Sequence, residues 1–395
     1  MKRFILFVLL SIIGMAVFAQ SEELAIRSAE FDQAATITAQ LTVTTAVETG
    51  NYTGAEAFYA KALHRLIEEY PSISTTNDRD KADKIALKLA PKLGDVKYGA
   101  ASVDLWQAVM YLPNPDAKAA ALAALGKVDE GKAFLPQVVQ LVKDWNTRPQ
   151  PDRETRDRVE RLISGAIIAL ENYKDPLGYL PVLFVSNGWY MAAVREQALA
   201  ALPNIEDDPT ELLIGAIRSS GYTYEAKIIA LNTSENFSPS NEKKASVAAE
   251  ALAESWRTPL NAPLKQRVSA VMRKQALRML GRYGSQDGAV YQSINKSYIR
   301  AWDREERLLA IGALKTMASD ESVRLLTGYL RDLTERRLFG PFTVEDGISA
   351  RAIISALGEI GNPAAMVEVR MVQELDAWNY SNFSSLATNA LRKLR

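Results

Sequence analysis

The chain has 395 residues, 48% hydrophobic and 24% charged, with 21 Gly and 16 Pro, a composition suited to folded structure over most of its length. Its 47 basic and 47 acidic residues cancel, which argues against the basic field that a phosphate-tracking nucleic-acid binder needs. Cys is absent, which excludes disulfides, thiolate metal sites and a lipid-modified N-terminal Cys.

In chain order, the first segment is "MKRFILFVLLSIIGMAVFAQ". Lys2 and Arg3 form a positive start, Phe4 to Phe18 an apolar run, and Val17-Phe18-Ala19 a small-residue cleavage site. The pattern predicts a secretory signal peptide over residues 1–19, cut after Ala19. The run is short for a retained membrane anchor. No second run of spanning length follows, so no membrane insertion is expected after cleavage, and the expected address is the bacterial periplasm or the exterior.

Residues 20–80 predict a helical N-terminal cap. "LAIRSAEFDQAATITAQLTVTTAVE" is Thr-rich and a poor helix former. "GNYTGAEAFYAKALHRLIEEYP" follows with a clear helical stripe. "TNDRDKAD" (Thr76 to Asp83) has acids at alternate positions but lacks the Gly and terminal Glu of a calcium loop, so it predicts a helix start.

From Lys81 onward one pattern recurs: an Ala- and Leu-rich helix, a short polar break, and a second amphipathic helix. It is clearest in "RAIISALGEIGNPAAMVEVRMVQEL" (Arg351 to Leu375). There Ile353, Ile354, Leu357 and Ile360 share one stripe, Gly361 and Asn362 stop the helix, and Pro363 suits the first turn of the next. Ala117 to Trp145, Val194 to Ser220, Met272 to Trp302 and Arg304 to Leu333 repeat this order, and Arg158 to Asn187 follows it loosely. Ser384 to Arg395 reads as a terminal half unit. Neither helix of a pair can hide its apolar stripe alone, so a neighbouring pair must cover it.

Three stretches break the rhythm. "NTRPQPDRETRD" (Asn146 to Asp157) predicts a linker, and "NTSENFSPSNEKK" (Asn232 to Lys244) a surface loop. "ERRLFGPFTVEDG" (Glu335 to Gly347) predicts a loop carrying Leu338, Phe339 and Phe342. Apolar residues in a loop either fold back on the adjacent hairpin or meet a partner.

Catalytic constellations are scarce. His64 is the only His, so a Ser-His-Asp triad or a His-based metal site has at most one imidazole. Its setting in "AKALHRLIEEY" is that of an ordinary helix residue. No phosphate loop, dinucleotide fingerprint or nucleophile elbow occurs. Asp207-Asp208 precedes Pro209, which fits helix-start electrostatics. The alternating charges from Arg148 to Arg161 predict a solvated, self-paired face. No catalytic, cofactor or metal residue is expected.

Tryptophan supplies the remaining pattern. Trp145, Trp256, Trp302 and Trp378 fall at or just after the end of a predicted second helix, and Trp189 follows another. Two roles fit: anchors for a docking partner, or plugs in the seam between hairpins, with each indole N–H on a helix-end carbonyl. Burial of large apolar side chains favours the plug.

The hairpins resemble the HEAT-repeat family, in particular the short bacterial repeats grouped with phycobilisome lyases. The Ala-Leu-Gly-x-Ile-Gly-x-Pro run of "SALGEIGNP" carries the likeness. Leu125, Leu170, Leu202, Leu231, Leu280, Leu314, Leu357 and Leu391 mark its units, and the likeness covers residues 81–395. It implies an all-α fold, an α-solenoid of stacked antiparallel helix hairpins. "GNYTGAEAFYAKAL" resembles the second helix of a tetratricopeptide repeat, with Gly50, Tyr52, Ala55, Tyr59, Ala62 and Leu63 in the matching order. Together these imply an exported, non-enzymatic scaffold or adaptor that binds another protein in the cell envelope. Candidate contacts are Phe339 and Phe342, then Trp189, Tyr190, Trp378 and Tyr380. The alternatives are an accessory that handles a small ligand, as the lyase relatives do, or a structural part of an envelope machine.

Overall fold

The structure, a computed structural model, describes residues 20–258, 262–379 and 382–394. Residues 1–19, for which a signal peptide is predicted, and Tyr380 lie outside the described residues. Every regular element among those residues is helical, so the fold is all-α.

The chain divides between Asp207 and Asp208 into two compact units. The first holds α1 (20–33), α2 (Ile37–Gly50), α3 (Glu56–Glu69), α4 (Thr76–Asp95), α5 (Ser102–Tyr111), α6 (Pro115–Val128), α7 (Leu135–Asn146), α8 (Arg153–Tyr173), α9 (Tyr179–Ser186) and α10 (Ala192–Ile205). The second holds α11 (Thr210–Arg218), α12 (Tyr224–Phe237), α13 (Asn241–Ser255), α14 (Pro263–Tyr283), α15 (Val290–Ile299), α16 (Arg304–Met317), α17 (Asp320–Phe339), α18 (Val344–Ile360), α19 (Met366–Glu374) and α20 (Phe383–Lys393).

Start and stop chemistry sets these boundaries. Thr75, Asn114, Asp152, Thr223, Ser240, Asp303 and Ser319 each accept a hydrogen bond from a first-turn N–H, satisfying a donor that the helix leaves orphaned. Gly361 closes α18 at φ +73°, a left-handed conformation that glycine adopts without a Cβ clash. Pro363 then opens a 3-10 turn (Pro363–Ala365) that leads directly into α19.

Packing in each unit runs from one hairpin to the next. In the first unit α2, α4, α6, α8 and α10 each pack on the next of that series, while α3 and α7 lie against α4 and α8 and reach α5 and α9. In the second unit α12, α14, α16, α18 and α20 form one such series and α11, α13, α15, α17 and α19 another. All eight marker leucines are buried.

Small residues fix the spacing within the even-numbered series. A Cβ on Gly126 would lie 2.5 Å from the Cα and the carbonyl oxygen of Ala169, so α6 and α8 meet backbone to backbone. Gly165 of α8 meets Ala119 of α6 in the same way, at 2.5 Å. Gly94 faces Ala124 and Gly358 faces Ala390, at 3.0 and 2.9 Å to Cα. The Leu-Gly pair thus has a physical meaning: the leucine fills the hairpin interior and the next residue lets the following helix approach.

Two buried ion pairs add polar registration. Arg273 on α14 meets Glu306 on α16 with both side chains almost fully buried. Its Nε and Nη2 donate to the two carboxylate oxygens at 2.5 and 3.2 Å, and its guanidinium lies 4.3 Å from the Trp256 ring centroid. Lys227 on α12 donates to Glu254 on α13 at 2.6 Å.

Two of the predicted loops are mostly helix. Asn232 to Phe237 continue α12, with the hydroxyls of Thr233 and Ser234 donating to the carbonyls of Ile229 and Leu231 while both residues are buried. Only Ser238 to Ser240 link α12 to α13. Glu335 to Phe339 likewise extend α17, and α18 begins at Val344. The predicted linker at 146–157 is shorter than expected, since α8 starts at Arg153.

Candidate docking surface

The turn between α17 and α18 is one of the places where large apolar side chains stand exposed, and it groups three of them, Leu338, Phe339 and Val344. Gly340 closes α17 in extended conformation, and Thr343 opens α18 with a capping box: its hydroxyl accepts from the N–H of Asp346, whose carboxylate accepts from the N–H of Thr343. The two helix ends place Phe339 at 86% and Val344 at 80% exposure, with Leu338 beside them at 43%.

Behind this rim lies a groove of about 320 Å3 whose lining includes Arg337, Phe342, Val344, Ile348, Arg351 and Phe383. Phe342 folds back edge-on to Trp378, with centroids 5.5 Å apart, and Trp378 meets Phe383 at 4.8 Å. Both arginines sit over aromatic faces. The Arg337 guanidinium is 5.2 Å from the Phe342 centroid and its Nε donates to the Ala377 carbonyl at 2.9 Å. The Arg351 guanidinium is 4.5 Å from the Phe383 centroid. No carboxylate stands among the described lining residues. The two acids at the start of α18 face other arginines: Glu345 pairs with Arg304 at 2.9 Å and Asp346 with Arg336 at 3.3 Å.

The structure sorts the sequence candidates. Phe339 is exposed on the rim and Phe342 is half-buried in the groove wall. Trp378 is fully buried, its indole N–H without an acceptor among the described residues. Tyr190 is 3% exposed and donates to Asn146 at 3.0 Å. These two belong to the interior, because aromatic burial and a local hydrogen bond already claim their surfaces. Trp189 stacks on Tyr190 at 4.3 Å and donates its indole N–H to the carbonyl of Trp145, the seam contact expected of a plug. Trp256 donates to Ser297, whereas Trp302 is 51% exposed. The tryptophans therefore do not share one role.

Sequence reasoning missed Arg351, Phe383 and Val344. Arg351 and Val344 lie near the quoted aromatics in the chain, but Phe383 reaches the groove only through the packing of α18 on α20. Elsewhere, groups that could carry chemistry act locally. His64 contacts Asp104 at 3.0 Å and Glu68 at 3.3 Å, and the bond to Asp104 holds the imidazole pKa above its ordinary value. Burial raises the Asp83 carboxyl, while hydrogen bonds from Tyr70 and Asn114 oppose that rise. Arg158 pairs with Glu154 inside the charged run, whereas Arg161 reaches across to Asp116 on α6 and Glu160 is buried, accepting from the N–H of Met191, so the run is only partly a self-paired face. Among the described residues no three His, Asp or Glu side chains gather as a metal site, and no helix is long and apolar enough to cross a membrane. No protein-family model matches the chain, and no curated protein matches it.

Proposed function

We propose that the chain is an exported, non-enzymatic scaffold of the bacterial cell envelope, a HEAT-like α-solenoid with a helical cap over 20–80 that holds another protein on its surface. Hairpin-to-hairpin packing in both units and the recurring Leu-Gly register support the repeat architecture. Such a stack offers extended surface rather than one deep cavity, and recognition proceeds by patchwise contact.

One observation carries the binding role: Phe339 and Val344 stand 86% and 80% exposed beside an aromatic groove. Clustered apolar exposure of this kind marks an interaction surface. The test is crosslinking and affinity purification of the mature chain from its own envelope, beside a Phe339→Ser, Val344→Ser variant. A partner recovered with the parent chain and lost with the variant is the expected result. Recovery of nothing at any crosslinker dose defeats the adaptor role. Equal recovery with both chains defeats this surface as its seat.

A further inference from the structure

We infer that the second unit rests on the anionic headgroups of a lipid bilayer through the turns that join α13 to α14 and α15 to α16, with Leu264, Ile299 and Trp302 entering the interface. The contact is peripheral, and it is a second surface beside the docking turn between α17 and α18.

Charge complementarity selects this occupant. From Trp256 to Arg300 the chain carries nine basic residues and one acid, Asp287. Five of the nine pair with acids outside that stretch, Arg273 with Glu306 and Lys274 with Asp303 among them. Lys265, Arg267, Lys296 and Arg300 are exposed and pair with no carboxylate among the described residues. The flanking helices bring Glu225, Asp332 and Glu335, likewise unpaired among the described residues, and Arg307, which lies over Tyr298. The excess charge at this end stays positive.

Apolar side chains stand among these cations. Leu264 is 82% exposed beside Lys265, and the exposed Ile299 and Trp302 flank Arg300. The two turns lie together, since the Trp256 indole donates to Ser297 at 3.2 Å and Lys274 to Asp303 at 3.0 Å. Arg273 meets Glu306 and Gly281 faces Ala313, so α14 runs parallel to α16 and its first turns, with Leu264, reach past the start of α16. At the opposite edge of this unit the turns 284–289 and 318–319 hold no large apolar residue. Tryptophan and aliphatic side chains settle at headgroup depth, while Lys and Arg lay their methylene stems beside them and keep the charge at the phosphates. A soluble polyanion would leave Leu264, Ile299 and Trp302 in water. A bilayer meets both turns at once.

The experiment is flotation of the mature chain, residues 20–395, with vesicles of phosphatidylethanolamine and phosphatidylglycerol, beside vesicles of phosphatidylcholine alone. Flotation with the anionic vesicles, weakened by salt, and little with phosphatidylcholine is expected. Lys265→Gln with Arg300→Gln should lower partitioning about tenfold or more, the scale of two cations near an anionic leaflet. Ile299→Ser with Trp302→Ser should also lower it, and brominated phosphatidylglycerol should quench the parent's fluorescence more than that of Trp302→Phe. Arg195→Gln, a charge removed at an exposed position of the first unit, should leave flotation unchanged. Thermal melts establish that each variant is folded. No flotation, equal flotation with both lipids, or charge and Trp302 variants that float like the parent overturn the inference. A chain that does not float, yet loses a crosslinked envelope protein on Lys265→Gln with Arg300→Gln, overturns it in favour of an acidic protein partner. The vesicles hold no protein, so the adaptor role can fail while this inference stands, and the reverse.

Discussion

Alanine at Gly126 is the sharpest perturbation of the hairpin seam. Its Cβ would sit 2.5 Å from the Cα and carbonyl oxygen of Ala169, whereas nonbonded carbons are most stable about 3.5–4.0 Å apart. The obstacle is backbone, so no side chain can rotate away, and α6 and α8 must separate locally by about 1 Å. Overpacking of this kind costs about 1–3 kcal/mol, partly offset by the roughly 0.8–1.0 kcal/mol by which alanine favours a helix over glycine. A net loss of about 0–2 kcal/mol follows, a fall of up to roughly 8 °C in Tm for a unit of this size. Gly165→Ala strains the same pair of helices through Ala119. A separation that admits one methyl admits part of the other, so the double variant should cost less than the two singles together. Gly312 and Gly328 lie inside α16 and α17, and a methyl added at either would meet nothing within 4 Å; alanine there should stabilise by about 0.5–1 kcal/mol. Urea denaturation and calorimetry read all five variants, and hydrogen exchange locates the loss in α6 and α8. If Gly126→Ala is as stabilising as Gly328→Ala, the helices do not meet backbone to backbone.

Removing one partner of the Arg273–Glu306 pair, as in Glu306→Leu, should cost about 3–5 kcal/mol, while Arg273→Met with Glu306→Leu should recover most of that loss; urea titration of the two variants beside the parent decides it, and a double variant as unstable as the single refutes a desolvated pair. Asp83 has a raised folded-state pKa, so its contribution to stability is present on acidification and is lost as pH rises from the ordinary carboxylate value toward the raised one. Asp83→Asn should therefore raise Tm at pH 7 by a margin that shrinks below about pH 4; a margin independent of pH contradicts the burial effect. His64 follows the same direction for a different cause: its contact with Asp104 stabilises below the unfolded imidazole pKa and fades as pH rises through the raised folded one. The pair is exposed, so His64→Ala should lose less than about 1 kcal/mol at pH 5.5 and almost none at pH 9, and an equal loss at both would assign the imidazole a packing role.

The helical class is legible in the sequence because the stop signals are local. Gly361, Asn362 and Pro363 act on their own backbone, and capping residues such as Thr75 and Asp303 bond within three residues. The marker leucines are legible for the same reason, since a 3.6-residue period places them on the covered face. Turn-forming residues overstate the loops at Asn232 to Lys244 and Glu335 to Gly347, where most of them sit inside helices because tertiary packing overrides local propensity. The docking surface is half legible. Phe339 and Phe342 stand close in sequence, but which of them faces solvent depends on Trp378, 36 residues further on, filling the space behind Phe342. Phe383 and Arg351 meet only through the packing of α18 on α20, and no local period encodes that contact.

Native-state hydrogen exchange after Ile354→Ala asks most directly whether hairpins shield one another in sequence or share one cooperative core. Ile354 is fully buried in α18, and its truncation should cost about 2–5 kcal/mol. Because α18 packs on α16, α17 and α20, exchange should accelerate in those helices and fade toward α12 and α11. Uniform acceleration from α11 to α20 would contradict neighbour-to-neighbour shielding.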